Sequence, residues 1–221
     1  VENFERNQMS LETDRREYRY AGLDVDSLAK DPHTQFKIWL NEAIERGISD
    51  PTAMCLSTCA LGARPSQRIV LLKSYDKSGF VFYTNLKSRK AREIQSNARV
   101  SLLFPWLKLD RQVIIEGEAI AVSRGDVENY FVKRPEGSKI AAWVSKQSKP
   151  LKSRAQLEDS YDRMSHRFAG EEILAPDFWG GYKVYPDFFE FWQGRENRLH
   201  DRFSFSRNNP SSAWAVNRLS P

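Results

Sequence analysis

Three side chains that can carry positive charge, Arg198, His200 and Arg202, occupy alternate positions near the carboxyl end of the chain. Alternate residues of a β-strand point to one face, so a strand over this stretch predicts that the three lie in one row. The aromatic run at residues 188–192 predicts a preceding strand in or beside the core, with a polar turn at residues 194–197. Half-buried cations repel one another and lose hydration. The pattern therefore favours an anionic ligand, with a solvated strand face as the alternative.

A second cationic pair, Arg89 and Lys90, falls at the predicted start of a helix that runs from an N-cap at Ser88 to about Ser96. Cations in a first turn oppose the helix dipole. A bound phosphate would resolve that conflict, because free backbone N–H groups and both side chains could converge on it. Solvated surface charge is the alternative interpretation.

Arg68 and Lys73 bracket an apolar run at residues 69–72, which is too continuously apolar for an exposed strand face and is therefore predicted to be buried. The odd separation of the two cations places them on opposite faces of a regular strand. They should then serve different partners, unless both simply reach solvent at the strand ends.

Tyr130 and Arg134 are four residues apart, so they are predicted to share a face at the end of a helix over residues 123–133. Ser138 is predicted to cap the following helix at residues 139–146. A cap hydroxyl and its neighbouring N–H groups also suit a phosphate.

The elements that must position these residues are antiparallel strands with helices inserted between them. Asp31, Pro32 and Gly47 delimit a first helix. Its apolar face is predicted to be core packing and consists of Phe36, Trp39, Leu40, Ala43 and Ile44. Strands are predicted at residues 53–58, 67–74, 80–84, 100–105, 112–122, 202–207 and 214–219. A charged helix is predicted at residues 153–168 and an aromatic, glycine-rich loop at residues 176–181. The predicted class is α+β, mainly antiparallel β and barrel-like.

The chain has 221 residues, 40% hydrophobic and 29% charged, which predicts one globular domain at residues 29–221. Residues 1–28 are predicted to be a mobile arm with a short helix around residues 11–18. Cys55 and Cys59 are the only cysteines, which fits a reducing compartment and hence the cytoplasm. With three histidines no metal cluster is expected, and no membrane span or signal peptide is indicated. The net charge of +5 is dispersed, so it suits a phosphorylated small molecule better than nucleic acid.

Eight segments in order along the chain together resemble the pyridoxine 5'-phosphate oxidase family of flavin enzymes. They are RREY at residues 15–18, QRIVLLK at 67–73, FYTN at 82–85, SRKA at 88–91, RQV at 111–113, residues 130–138, WVSKQS at 143–148 and residues 192–202. The resemblance implies a split β-barrel of the FMN-binding type with surrounding helices, active as a homodimer with flavin mononucleotide (FMN) at the subunit interface.

The resemblance also assigns roles to residues. The flavin phosphate would be bound by Arg68, Arg89 and Lys90, and the rest of the flavin site would be Ile69, Val70, Leu71, Tyr83, Thr84, Gln112, Gln147, Ser148, Trp192 and Arg202. The substrate phosphate would be bound by Lys73, Tyr130, Arg134 and Ser138. Arg198 and His200 would be the catalytic residues at the reacting carbon, with Arg15 and Tyr18 closing over the substrate.

The implied reaction is hydride transfer to FMN from pyridoxine 5'-phosphate or pyridoxamine 5'-phosphate, which yields pyridoxal 5'-phosphate while O2 is reduced to H2O2. The cofactor performs the redox step, so the protein supplies positioning and electrostatics. Two alternatives stay open at this point: another split-barrel oxidoreductase such as a flavin reductase, and a non-catalytic module that binds flavin or pyridoxal phosphate. A nucleic-acid-binding protein ranks below both, and no membrane partner is expected.

Overall fold

The fold is built on a nine-stranded antiparallel sheet, seen in a computed structural model that describes residues 16–62 and 64–221. The strands are β1 (Ala53–Thr58), β2 (Ser66–Leu71), β3 (Ser74–Asp76), β4 (Gly79–Asn85), β5 (Arg99–Trp106), β6 (Arg111–Ala121), β7 (Trp179–Gln193), β8 (Asp201–Ser206) and β9 (Ala215–Leu219). Their order is β2-β1-β5-β6-β7-β4-β3, with β8 joining β7 to β9. The predicted class is confirmed: this is an α+β split barrel with surrounding helices.

In the described residues, one α-helix precedes the strands and four lie between them: α1 (Pro32–Glu45), then α2 (Arg89–Ser96), α3 (Arg124–Phe131), α4 (Glu136–Val144) and α5 (Arg154–Arg167). The predicted starts of α1 and α2 are confirmed, because the Asp31 side chain accepts from the Thr34 N–H and the Ser88 side chain accepts from the Ala91 N–H. No helix in the described ranges is long and apolar enough to cross a membrane.

The main core lies between α1 and the inward face of the sheet. Phe36 is fully buried and packs edge to face on Phe80 and Phe104, with ring centroids 5.0 and 4.9 Å away. Burying one such side chain stabilises the fold by about 1.5–3 kcal/mol. The predicted apolar face of α1 is confirmed except at Ile44, which is 53% exposed because it lies on the side of the helix turned away from the sheet.

Strand β7 is the longest element and pairs with three others, with β4 along its first half, β8 along its second half and β6 along most of its length. The loop predicted at residues 176–181 is therefore wrong at its end, since β7 already begins at Trp179. Gly181 permits the close approach of β4: a Cβ there would lie 2.7 Å from the Phe82 carbonyl oxygen.

Strand β2 is an edge strand, and only part of the apolar run at residues 69–72 is buried as predicted: Leu72 is buried and Val70 is half-buried. Ile69 is 63% exposed and Leu71 is 39% exposed, because one face of this edge has no cover within the described residues. The strand also ends at Leu71, so the alternation of faces does not extend to Lys73 as expected. An exposed apolar edge of this kind marks a surface that another chain can cover.

Helices α3, α4 and α5 surround a second cluster of buried residues that includes Phe131, Ile140 and Trp179. The prediction that Ser138 caps α4 is wrong. Pro135 occupies the N-cap position and α4 begins at Glu136, so Ser138 lies inside the first turn. The predicted arm helix lies partly outside the described residues, and Arg16 and Tyr18 are not helical. Their side chains instead contact residues far along the chain, Arg16 with Asp110 and Tyr18 with Trp192.

Candidate functional site

One group of predicted site residues lines a cavity of about 410 Å³ between β2, β4, α3 and α4, which we call the cationic pocket. Its lining includes Ile69, Val70, Leu71, Lys73, Tyr83, Thr84, Lys90, Tyr130, Arg134, Ser138, Gln147 and Trp179. All four residues assigned to the substrate phosphate thus share one cavity with part of the flavin set, whereas Arg68, Arg89, Gln112, Ser148, Trp192 and Arg202 do not line it. A larger groove of about 1330 Å³, lined in part by Leu86 and Phe178, contains none of the predicted site residues.

Lys90 lies on the floor of the cationic pocket and is only 8% exposed. Its Nζ donates to Gln147 Oε1 at 2.9 Å and to Thr84 Oγ1 at 3.1 Å. Burial, with a smaller effect from the charge of Arg68, lowers the pKa of Lys90 to about 8. Among the described residues, Lys90 therefore has no carboxylate partner for its ammonium group, a state that a bound anion would stabilise.

Arg68 and Arg89 converge on Glu93, a residue that the sequence analysis did not select. Arg89 Nε donates to Glu93 Oε1 at 2.7 Å, and Arg68 Nη2 lies 3.4 Å from Glu93 Oε2. The backbone N–H of Arg89 also donates to Ser148 Oγ at 3.1 Å. The spacing of four residues between Arg89 and Glu93 could have indicated their pairing on one helix face. The contact between Glu93 and Arg68 joins a helix to a strand, so no local spacing indicates it.

The far wall of the pocket is an aromatic stack that supports Arg134. The rings of Tyr83 and Tyr130 are parallel with centroids 4.1 Å apart, and Tyr83 stacks on Trp179 at 5.4 Å. The Arg134 guanidinium lies 4.7 Å from the Trp179 ring centre, while its buried Nη1 has no hydrogen-bond partner within the described residues. Burial lowers the pKa of Arg134, although the neighbouring Tyr130 opposes this. Sequence reasoning missed Trp179 because that residue was predicted to lie in a loop.

A second group, which we call the aromatic cluster, is formed by Tyr18, Trp192 and His200. The Trp192 and His200 ring centroids are 4.6 Å apart, and the Tyr18 ring stands edge-on to both at 5.7 and 5.5 Å. The Arg195 N–H donates to His200 Nδ1 at 3.1 Å, so the neutral imidazole carries its proton on Nε2. Burial and the charge of Arg198 lower the pKa of His200, which favours this neutral form.

The predicted row of three cations is wrong. Strand β8 begins only at Asp201, and Asn197 and Arg198 have left-handed φ values of 55° and 61°, which a strand cannot contain. Arg198 is exposed and ends a 3-10 turn, Glu196–Arg198, so only Arg202 lies in β8.

Arg202 does not need an external anion for charge balance. Its Nε and Nη2 donate to the two carboxylate oxygens of Glu190 at 2.9 and 3.0 Å. Glu190 lies on the neighbouring strand β7 and is itself buried, so the pair is bidentate and partly desolvated. The anion expected from the row in the sequence is therefore not required at Arg202.

The two groups lie at opposite ends of β7. Trp179, at the start of the strand, borders the cationic pocket, and Trp192, near its end, belongs to the aromatic cluster and is paired in register with Gln112. Thirteen residue steps of fully extended strand set an upper limit of roughly 40 Å on the distance between these two residues.

Arg15 lies outside the described residues. Within the described part of the chain, no group of three or more His, Cys, Asp or Glu side chains could bind a metal ion. The donors that converge here are cationic and hydroxyl groups, which suit phosphate oxygens rather than a cation.

Comparison with known proteins gives a consistent result along the chain. A family model described as pyridoxamine 5'-phosphate oxidase matches residues 40–168, and one described as the pyridoxine 5'-phosphate oxidase C-terminal dimerisation region matches residues 179–221. A protein of Hahella chejuensis named pyridoxine/pyridoxamine 5'-phosphate oxidase is 51% identical over 96% of this chain and 100% of its own. The protein of that name from Pseudoalteromonas atlantica is 50% identical over 94% of this chain and 97% of its own.

Two solved structures support the fold. PhzG from Burkholderia lata, in complex with tetrahydrophenazine-1-carboxylic acid, has a TM-score of 0.84 at 27% identity and covers 91% of this chain and 100% of its own. A pyridoxamine 5'-phosphate oxidase-related, FMN-binding protein from Nostoc punctiforme has a TM-score of 0.68 at 13% identity, with coverage of 88% and 100%. The second likeness is evidence for the fold alone.

Proposed function

The chain belongs to the pyridoxine/pyridoxamine 5'-phosphate oxidase family, and from this premise we propose that it oxidises both phosphorylated vitamers to pyridoxal 5'-phosphate. We propose that FMN is the cofactor of this chain, as the family resemblance implies. We propose O2 as the terminal electron acceptor. The alcohol and O2 then give the aldehyde and H2O2, and the amine, O2 and water give the aldehyde, ammonia and H2O2.

The charge of Lys90 in the cationic pocket, together with the charges of Arg68, Arg89 and Glu93 beside it, fits the phosphate of FMN. Arg68, Arg89 and Lys90 contribute three positive charges and Glu93 one negative charge, which leaves a net charge of two that a phosphate dianion would balance. Tyr83, Thr84, Gln147 and Ser148 supply hydroxyl and amide groups beside these cations. We propose that they and the β2 backbone at residues 69–71 hold FMN.

The observation that carries the substrate assignment is the unpaired Nη1 of Arg134. A buried N–H without a partner costs about 1–3 kcal/mol, which a phosphate oxygen would recover. Lys73, Tyr130 and Ser138 line the same cavity and provide further cationic and hydroxyl donors. This arrangement supports a substrate that carries its own phosphate, and an unphosphorylated vitamer would leave Arg134 unpaired.

We propose that a homodimer completes the site, with the aromatic cluster of one subunit placed over the cationic pocket of the other. The family region at residues 179–221 is described as a dimerisation region, and Ile69 and Leu71 expose an apolar edge beside the pocket. In the dimer, Gln112, Trp192 and Arg202 would contact FMN. Arg15 and Tyr18 would close over the substrate.

Bound FMN supplies the hydride acceptor, and the residues of the chain bind and orient the substrate. We propose that Arg198 orients the alcohol or amine of the substrate and stabilises charge that develops there. His200 is held by the Arg195 N–H with its Nε2 proton available, so it can donate a hydrogen bond to the same group. The tilted Trp192 ring and the edge-on Tyr18 ring pack against the imidazole of His200 and cover part of it.

The proposal is tested by an aerobic assay of the FMN-loaded protein in which pyridoxal 5'-phosphate and H2O2 are measured together. Equal amounts of both products from pyridoxine 5'-phosphate, and little from unphosphorylated pyridoxine, are the expected result. A yellow, FMN-loaded protein that forms neither product would instead indicate a flavin reductase or another flavin-binding protein.

The shared site has its own test, which mixes two impaired variants, Arg134→Ala and Arg198→Ala, under conditions that exchange subunits and at a substrate concentration far below the KM of Arg134→Ala. Each mixed dimer would contain one site with both arginines, so about a quarter of wild-type activity should return. If each subunit held a complete site, mixing would restore nothing.

A further inference from the structure

We propose that Glu93 is the positioning residue for the flavin phosphate, because it fixes both Arg68 and Arg89 before the cofactor binds. This inference rests on the proposed FMN site. The Glu93 carboxylate would itself repel the phosphate, so charge alone predicts tighter FMN binding when that carboxylate is removed. A positioning role predicts weaker FMN binding.

Glu93 lies on α2, one turn after Arg89, and its side chain is only 9% exposed. Its Oε2 accepts hydrogen bonds at 2.5 Å from Thr58 Oγ1 and at 2.5 Å from Ser66 Oγ, which face each other across β1 and β2. Its Oε1 accepts from Arg89 Nε at 2.7 Å. One carboxylate thus connects α2 to two strands and leaves little freedom for its own rotamer.

Arg68 is held by the same network. Its Nη1 donates to the Leu56 carbonyl oxygen at 3.2 Å, and its guanidinium also donates to the Thr58 and Ser66 hydroxyls that Glu93 orients. Only 19% of the Arg68 side chain is exposed, whereas Arg89 is 56% exposed. In the described part of the chain, Glu93 is the only side chain that accepts a hydrogen bond from the Arg89 guanidinium. The orientation of Arg89 therefore depends on Glu93.

Two effects of removing the Glu93 charge oppose each other. Loss of a nearby negative charge would strengthen phosphate binding by simple attraction. Loss of the anchor would release Arg89 and leave Arg68 and Lys90 in an unbalanced cationic cluster, so their side chains would have to be ordered when FMN binds. Because Glu93 is buried and bonds four partners, we expect the second effect to dominate.

The experiment titrates flavin-free protein with FMN and with riboflavin, which lacks the phosphate, and follows flavin fluorescence. Glu93→Gln should weaken FMN binding roughly 10- to 100-fold and leave riboflavin binding unchanged, since charge-assisted bonds contribute about 1.5–3 kcal/mol. Glu158→Gln is the matched control, because Glu158 forms an exposed pair of the same spacing with Arg154. Its FMN affinity should equal that of the wild type.

Glu93→Asp separates position from charge, since it keeps the carboxylate but shortens its reach. Positioning predicts weaker FMN binding for this variant too, whereas a role in charge alone predicts wild-type affinity. Unchanged or tighter FMN binding by Glu93→Gln would overturn the inference, as would an equal loss of FMN and riboflavin binding. If the wild type itself does not prefer FMN to riboflavin, the proposed phosphate site is wrong, and this outcome is distinguishable from the others.

Discussion

The depressed pKa of Lys90 predicts that FMN binding weakens as the pH rises above about 8. In the flavin-free protein this buried ammonium has no carboxylate partner, so it loses its proton at a lower pH than an ordinary lysine. A bound phosphate would favour the charged form and return the pKa towards the usual value near 10.4. The FMN affinity is therefore fully present below the pKa that Lys90 has in the flavin-free protein, and it falls as the pH rises through that value.

The size of the effect follows from the two protonation equilibria. With a pKa of about 8 in the free protein and an ordinary value in the complex, affinity falls about tenfold from pH 7 to pH 9, or about 1.4 kcal/mol. The affinities are compared from pH 7 upwards, because the FMN phosphate itself takes up a proton near pH 6 and this would also change the affinity.

The assay is a fluorescence titration of flavin-free protein with FMN at several pH values and constant ionic strength. Lys90→Arg provides the control, because a guanidinium stays protonated throughout and its binding curve should be flat across this range. A wild-type affinity that does not change between pH 7 and pH 9 would refute the reasoning. It would mean that Lys90 either is not desolvated or does not contact the phosphate.

Three further predictions concern the substrate and the stability of the fold. Arg134→Ala should raise KM for pyridoxine 5'-phosphate roughly 10- to 100-fold, because one charge-assisted contact is lost, while FMN affinity is unchanged in the fluorescence titration. Arg198→Ala should lower kcat with normal FMN retention, and turnover near that of the wild type would contradict its role. Burial raises the pKa of Glu93, but hydrogen bonds from Ser66, Thr58 and Arg89 outweigh this and lower it to about 2. The ionised Glu93 carboxylate therefore stabilises the fold above the ordinary pKa of glutamate. This contribution to the free energy of unfolding falls by about 2 kcal/mol between pH 6 and pH 3. Urea unfolding should show a smaller loss over this range in Glu93→Gln, and equal losses would contradict the assignment.

The sequence alone determined those features that depend on neighbours a few residues apart. The N-caps at Asp31 and Ser88 were predicted correctly, because their hydrogen bonds close within three residues. Most strand positions were predicted for the same reason. The family could be recognised because its motifs are short and occur in a characteristic order.

Only the tertiary structure decided which charges are satisfied and which apolar residues are covered. Arg202 and Glu93 find their partners across neighbouring strands or between a helix and a sheet, and no local pattern encodes such contacts. Ile69 reads as buried in sequence, yet it lies exposed at a sheet edge.

The separation of the two groups of site residues also required the structure. Along the sequence, Trp179 falls in a predicted loop and Trp192 in a separate aromatic run, but the structure joins both in one strand. Because extended chain rises about 3.3 Å per residue, up to roughly 40 Å of strand separates them. The residue types of the site can be read from sequence because chemistry selects them. Their division into two groups depends on strand length and pairing, which are properties of the folded sheet.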